Sequence, residues 1–249
     1  MESLEKLEQV SITEALEDVS SHIADGNIEL HVDALELNEY VSDVKEWYNP
    51  ELEKAEVVTD LEMTESIADY LESVDEVNFE NWSKLTIEEK KDVLNRIEQK
   101  IAEIEHRPAI RVEIEEMAPR NLGYHSNSER KIALNSQYVG TNNPNFHREI
   151  INTIIHEGRH AYQHYNVDVK CIHESASRVK EWEQNFYDPE WGYYSYKGQK
   201  IYIPFNDGKV KDVGYRLYAY QPVEIDARNF ASDVLSRLEN KGIIKSENS

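Results

Sequence analysis

Two histidines four residues apart, His156 and His160, most constrain what this chain can form. They lie in the stretch TIIHEGRHAYQHY, residues 153–165. On an α-helix, residues four apart lie one turn above each other on the same face, so both imidazoles can point at one metal ion. Zinc favours nitrogen ligands in tetrahedral geometry, and a catalytic zinc takes three protein ligands and leaves one position for water. The spacing therefore predicts two of three zinc ligands, with Glu157 beside the open position.

The residues before this motif predict the helix that the arrangement requires. Asn143 is suited to the N-cap and Pro144 to the first helical position. Four isoleucines then supply an apolar face: Ile150, Ile151, Ile154 and Ile155. Two unrelated histidines that happen to be four residues apart are the alternative. A capped helix with an apolar back favours the metal site, because it would bury the ligand end and leave a cleft in front.

The third ligand must come from elsewhere in the chain. In the three-histidine arrangement the third histidine would stand at position 166, which is Asn166, and Gln163 occupies the place of a required glycine. A carboxylate on a separate helix is the other solution, and Glu224 opens the C-terminal helical segment. Ala227 and Ala231 on the interior side of that segment would permit close helix packing. The alternatives for the third ligand are Glu174, His173 and Asp226.

The pattern around the motif predicts an α+β fold. A capping box at Thr86 and Glu89 begins an amphipathic helix that ends before Pro108. Residues 109–117 alternate as a strand does, and residues 130–139 follow after a turn-like segment. Two strands that are adjacent in sequence most simply form an antiparallel pair.

The last sixty residues predict a hairpin and a helix. Residues 191–210, WGYYSYKGQKIYIPFNDGKV, have the aromatic content and the Asn-Asp-Gly turn of a hairpin or a long irregular loop. Residues 221–242 begin with Gln221 and Pro222, carry an apolar stripe and end at Gly242, which predicts a C-terminal helix.

Charge divides the chain unevenly. Residues 1–80 hold 24 carboxylates against three lysines, a net charge of −21, whereas the remaining residues are nearly neutral at −1. Leucine, isoleucine and valine recur in this acidic part at helical spacing. We therefore expect an acidic helical region at 1–80 and a separate domain at 81–249.

Composition also excludes some classes of protein. The acidic region contains no basic patch for nucleic acid, no apolar run is long enough to span a membrane, and the first residues lack the pattern of a signal peptide. A lone Cys171 cannot form an internal disulfide and fits a reducing compartment. We expect a cytoplasmic protein, or one exported by a specialised secretion system.

HEGRH followed by EIDARNFA resembles the gluzincin group of zincin metallopeptidases, in which H-E-x-x-H on one helix is completed by a glutamate in an E-x-x-A pattern on a later helix. The E-x-x-A-x-x-F-A form is similar to that of minimal gluzincins of mobile elements. The longer run from residue 81 to residue 231 resembles metallopeptidase domains of bacterial polymorphic toxins. The resemblance covers residues 80 to 240 and excludes the acidic region. The NExxSD signature of secreted neutral proteases is missing, which argues against that branch.

The resemblance implies a zincin-like fold, in which a small, mostly antiparallel sheet packs on the motif helix and on a C-terminal helix that bears the glutamate. It implies that His156, His160 and Glu224 bind Zn²⁺ and that Glu157 is the catalytic base. It also implies that residues 130–139 form the edge strand along which an extended protein or peptide substrate pairs.

Peptide hydrolysis at such a site needs a donor for the oxyanion, and several side chains are candidates. Tyr220 and His164 lead, with Tyr215 and Tyr218 behind them. Asp226 could orient a ligand histidine, and Arg159 is expected to form an ion pair rather than to contact substrate.

A different class of function is also open. Besides a solvated helical appendage or an inhibitory segment over the active site, the acidic region could be a binding or decoy module that engages a basic protein partner, with the zincin-like domain as a scaffold. Glu157 discriminates between the two hypotheses, because a purely structural metal site needs no base beside it.

Overall fold

The structure is a computed structural model that describes residues 57–188, 193, 202–204, 210–212 and 214–244. All of them lie in one compact unit, Trp47–Ser249. Most of the predicted acidic region lies outside the described residues. Among the residues described, no helix combines the length and the apolar character needed to cross a membrane.

Helices dominate the described residues, with short strands between them, so the fold is α+β. The α-helices are α1 (Asp60–Ser73), α2 (Phe79–Trp82), α3 (Ile87–Ile104), α4 (Ser136–Val139), α5 (Pro144–Asp168), α6 (Ala176–Tyr187), α7 (Gly214–Ala219) and α8 (Pro222–Asn240). A 3-10 turn, Asp75–Val77, links α1 and α2. The strands are β1 (Arg111–Glu115), β2 (Gly123–Ser126), β3 (Lys131–Asn135), β4 (Tyr202–Pro204) and β5 (Val210–Asp212).

The helix boundaries follow the local signals in the sequence. The capping box of α3 is confirmed, since the Glu89 carboxylate accepts a hydrogen bond from the Thr86 backbone N–H at 2.8 Å and the Thr86 hydroxyl accepts one from the Glu89 N–H. Asn143 caps α5 and Pro144 is its first residue, as predicted. Helix α8 begins at Pro222 and ends before Gly242, which has a φ of 72°.

Helix α5 is the central element of the fold. It contacts α3, α6, α8 and both β2 and β3. The four isoleucines of its predicted apolar face are all fully buried, which confirms that face. The motif residues therefore stand on a helix that is held from several sides.

The main sheet has three strands in the order β1-β3-β2. Strand β3 pairs in parallel with β1 and antiparallel with β2, and all five of its residues are buried. Strands β4 and β5 form a separate antiparallel pair on either side of the predicted Asn-Asp-Gly turn, which itself, like most of residues 191–210, lies outside the described residues.

Two predictions about the main sheet are wrong. Residues 109–117 and 130–139 were expected to pair antiparallel, but β1 and β3 are parallel, because β2 lies between them in sequence and reverses the chain once more. Residues 130–139 were also expected to supply an edge strand, but β3 is the central strand and residues 136–139 form α4.

Strand β2 was not predicted, because Gly123 allows a close approach between elements here and does not mark a turn. A Cβ at Gly123 would lie 2.7 Å from the Ala133 carbonyl oxygen and 2.8 Å from Thr153 Cγ2. Only glycine lets β2 approach both β3 and α5 this closely. In the sequence, a glycine among polar residues indicates a turn instead.

Helix α1 belongs to the same core as the motif helix, although its sequence is acidic. Met63, Ile67, Ala68 and Leu71 are buried, and α1 packs against α3 and α8. Residues 57–80 therefore pack in the same core as the residues after them, although the charge of the sequence changes near residue 80.

Shortening a buried side chain of α1 tests this packing. We expect Ile67→Ala to lower the free energy of unfolding by about 2–5 kcal/mol, because it leaves a cavity in a fully buried position. Ser66→Ala, on the exposed face of the same helix, should change it by less than about 0.5 kcal/mol. Urea unfolding of both variants measures the difference, and equal effects would mean that α1 is a solvated appendage.

Candidate metal centre

Three side chains from two helices converge on one point. His156 and His160 lie one turn apart on α5, and Glu224 lies in the first turn of α8. The two Nε2 atoms are 3.1 Å apart. Glu224 Oε2 lies 3.4 Å from His156 Nε2, and Glu224 Oε1 lies 3.5 Å from His160 Nε2. Glu224 is almost fully buried, so its carboxylate meets these imidazoles away from water.

The spacing of these donor atoms fits zinc. Zinc binds histidine nitrogen and carboxylate oxygen at about 2.0–2.1 Å, and a tetrahedron with such bonds places its donor atoms about 3.3–3.4 Å apart. The distances here, 3.1 Å between the two nitrogens and 3.4 and 3.5 Å from them to the two different oxygens of Glu224, lie around that value. Two imidazoles and a carboxylate are also the ligand types that zinc accepts in catalytic sites.

Gln163 fixes the tautomer of His160. Its side-chain nitrogen donates to the Val223 carbonyl oxygen and to Asp226 Oδ2, each at 2.9 Å, so its oxygen must face the imidazole. His160 Nδ1 therefore donates to Gln163 Oε1 over 2.8 Å. With the proton on Nδ1, the lone pair of Nε2 is directed at the other donor atoms, as a metal ligand requires.

The electrostatics of the centre favour positive charge. Burial lowers the pKa of His160, but the hydrogen bond and charge of Glu224, together with the charge of Glu157, outweigh it and raise the pKa to about 9. Burial alone would raise the pKa of Glu224, but its contacts with His156 and His160 hold that pKa well below the usual range. The carboxylates thus favour positive charge at this position: a second proton on Nε2 of His160, or a metal ion that would take its place with release of that proton.

Glu157 lies beside this centre. Its carboxylate and the ring nitrogens of His156 and His160 all lie within 4.8 Å of one another, and the residue is buried. The motif therefore brings a carboxylate to the two imidazoles in addition to Glu224.

Two tyrosines contact Glu224 or lie close to it. Tyr193 donates a hydrogen bond from its hydroxyl to Glu224 Oε1 at 2.8 Å. The ring of Tyr218 lies 6.3 Å from that of Tyr193, and burial, the charge of Glu224 and that of Glu157 raise the pKa of the Tyr218 phenol. Tyr193 was not singled out in the sequence, because it stands in a run of aromatic residues whose spacing indicates no particular contact.

The two leading donor candidates from the sequence have other surroundings. Tyr220 exposes 71% of its surface. His164 lies one turn beyond His160, stacks on Phe186 with ring centroids 4.0 Å apart, and meets Asp168 Oδ2 through Nδ1 at 3.1 Å.

The alternative third ligands lie elsewhere. Glu174 Oε1 accepts a hydrogen bond from the Asp60 backbone N–H at 3.0 Å, at the start of α1. His173 Nδ1 accepts one from the Ser175 N–H at 2.8 Å, and its Nε2 lies 3.5 Å from Asp60 Oδ1. Asp226 accepts from Gln163 and pairs with Arg159. Of the four candidates, the structure brings Glu224 to the histidines.

Arg159, inside the motif, pairs with carboxylates of α1 and α8. It is fully buried, and it donates from Nε to Asp226 Oδ2 at 2.8 Å and from Nη2 to Asp60 Oδ1 at 2.7 Å. Its guanidinium carbon lies 4.6 Å from the Tyr162 ring centroid and 4.3 Å from that of Phe230. The predicted ion pair of Arg159 is confirmed.

In comparisons with known proteins, no family model matches this chain, and neither a curated protein nor a solved structure does. The resemblance to gluzincins therefore depends on the motif residues themselves.

Removing the carboxylate of α8 tests the ligand set. We expect the wild type to bind one zinc ion per chain and Glu224→Ala to bind it more than about 100-fold less tightly. Removing a residue that only supports a ligand usually weakens metal binding by about 10–100-fold, so removing a ligand itself should weaken it more. Glu174→Ala is the matched control, because Glu174 caps α1 instead. Elemental analysis and chelator competition measure both. Zinc binding that survives Glu224→Ala but not Glu174→Ala would assign the third ligand to Glu174.

Proposed function

We propose that the protein is a zinc-dependent metallopeptidase of zincin-like fold, in which His156, His160 and Glu224 hold zinc and Glu157 is the general base. The convergence of the two imidazole nitrogens and the Glu224 carboxylate at distances of 3.1 to 3.5 Å, with Glu157 beside them, carries this proposal. A structural zinc site is closed by four protein ligands, whereas a catalytic site has three and an open position.

The residues at the centre suit amide hydrolysis. Zinc would supply a Lewis acid that polarises the scissile carbonyl and lowers the pKa of water towards about 7. Glu157 is placed to take a proton from the attacking water and to pass it to the leaving amine. The small exposed fraction of Glu157, 9%, limits the bulk water that would compete for that proton.

The oxyanion donor is better assigned to the tyrosines near Glu224 than to Tyr220 or His164. Phenols are protonated at neutral pH, and burial together with the charge of Glu224 raises the pKa of Tyr193 and of Tyr218 further, so each can donate a hydrogen bond to developing negative charge. Tyr193 donates its one hydroxyl proton to Glu224, so it would have to give up this bond to act as the oxyanion donor. The substrate class is a protein or peptide, since the proposed chemistry acts on an amide.

The acidic decoy hypothesis concerns mainly residues 1–56, which lie outside the described part of the chain. No contact among the described residues favours it over the peptidase.

Replacing the proposed base tests the function. We expect Glu157→Gln to keep zinc, because Glu157 is not one of the three proposed ligands, and to lower peptide cleavage by about 10²–10⁴-fold, the usual contribution of a general base. Casein or a peptide library serves as substrate, and zinc content is measured on the same samples.

Glu149→Gln is the matched control, since Glu149 lies two turns earlier on α5 and pairs with Arg148. It should leave cleavage unchanged. A wild type that holds zinc but cleaves no peptide, or a Glu157→Gln variant as active as the wild type, would contradict the proposed function.

A further inference from the structure

Gln163 is a buried amide whose hydrogen bonds join α5 to α8. It is fully buried, and its oxygen accepts from His160 Nδ1 while both hydrogens of its nitrogen are used, one by the Val223 carbonyl and one by Asp226. Rotating the amide by half a turn would turn its oxygen towards two acceptors. The amide therefore has one satisfied orientation.

The partners of Gln163 are themselves held in place. Asp226 Oδ2 accepts from Arg159 Nε as well as from Gln163, and Arg159 also donates to Asp60 of α1. The charge of Arg159 is buried between the rings of Tyr162 and Phe230 and depends on these carboxylates. Asp226 thus has little freedom to move away from Gln163.

The two ends of Gln163 act on two different ligands. Its oxygen orients the ring of His160, and its nitrogen holds the carbonyl of Val223, the residue directly before Glu224. One side chain therefore sets both the lone pair of Nε2 and the position of the first turn of α8 relative to α5.

We propose that Gln163 is a positioning residue for the metal centre, with Asp226 and Arg159 as its support. The inference rests on the proposed zinc site and deepens it. Gln163 itself contributes no ligand atom; it acts through His160 and through the backbone before Glu224. In the sequence, Gln163 only argues, together with Asn166, against a three-histidine site, because its partners on α8 lie 60 and 63 residues away.

The test compares two buried amides on α5. Gln163→Met removes the acceptor of His160 and the donors to α8 while it keeps the length of the side chain. Asn166→Leu is the control, because Asn166 is also buried and bonds the Tyr162 carbonyl and the backbone N–H groups of Ile172 and His173. Zinc affinity is measured by competition with a chromophoric chelator, and thermal unfolding of the metal-free proteins is recorded beside it.

We expect Gln163→Met to weaken zinc binding by about 10–100-fold, the usual effect of losing an outer partner of a metal ligand. Asn166→Leu should lower thermal stability and change zinc affinity by less than about 2-fold, well below that range. Equal loss of zinc affinity in the two variants, or none in Gln163→Met, would overturn the proposal.

Gln163→Glu separates positioning from stability if Gln163→Met does not fold. A carboxylate still accepts from His160 Nδ1, but it repels Asp226 and the Val223 carbonyl. The metal-free protein should therefore melt at a lower temperature, while zinc affinity, which keeps the acceptor of His160 and loses only the contact to α8, should fall by less than about 10-fold. The absorption spectrum of the Co²⁺-substituted protein should stay that of a tetrahedral site. Loss of zinc affinity in proportion to the loss of stability would contradict a positioning role.

The same measurements distinguish failure of the positioning role from failure of the proposed function. A wild type that cleaves peptide while Gln163→Met binds zinc normally leaves the function standing and removes the positioning role. A wild type whose zinc affinity depends on Gln163 but which cleaves no peptide leaves the positioning role and removes the function. A wild type that binds no zinc overturns both.

Discussion

The buried guanidinium of Arg159 is the constraint on which the arrangement of the helices depends. Moving a charge out of water costs several kcal/mol, which is recovered only when carboxylates meet it in good geometry. Those carboxylates come from two other helices, Asp60 of α1 and Asp226 of α8. Arg159 stands between the two histidines of the motif, so α1 and α8 must pack against the segment of α5 that carries the donor atoms. The same packing brings Glu224, two residues before Asp226, to His156 and His160.

A second buried ion pair packs against the motif segment of α5 and requires glycine at position 158. Arg107 makes a two-pronged pair with Glu98 at 2.7 and 3.0 Å, and both are fully buried. A Cβ at Gly158 would lie 3.2 Å from Arg107 Nη2 and 3.5 Å from Glu98 Oε2. Glycine between Glu157 and Arg159 therefore leaves room for this pair against α5, although glycine inside a helix lowers helix stability.

Local signals were predictable from the sequence, whereas pairings between distant segments were not. The starts of α3, α5 and α8 follow from capping residues and prolines that act within one turn, and the structure confirms them. The sheet order, β1-β3-β2, depends on contacts that no local pattern encodes, and Gly123 indicated a turn where a strand approaches closely. At the site, the spacing of His156 and His160 is local, but Gln163 and Tyr193 act through partners on other segments.

Most carboxylates of residues 57–80 form ion pairs with basic side chains of the same chain. Glu65 pairs with Arg237, Asp69 and Glu72 with Lys241, and Glu76 with Arg96. Exposed pairs of this kind contribute little each, about 0–1 kcal/mol. They nevertheless show that the basic groups meeting the exposed carboxylates of this part of the sequence belong to α3 and to the end of α8, while Asp60 pairs with Arg159 of α5 and Arg178 of α6. With Asp60 bound to Arg159, α1 is better understood as part of the packed core around α5 and α8 than as a surface for a basic partner.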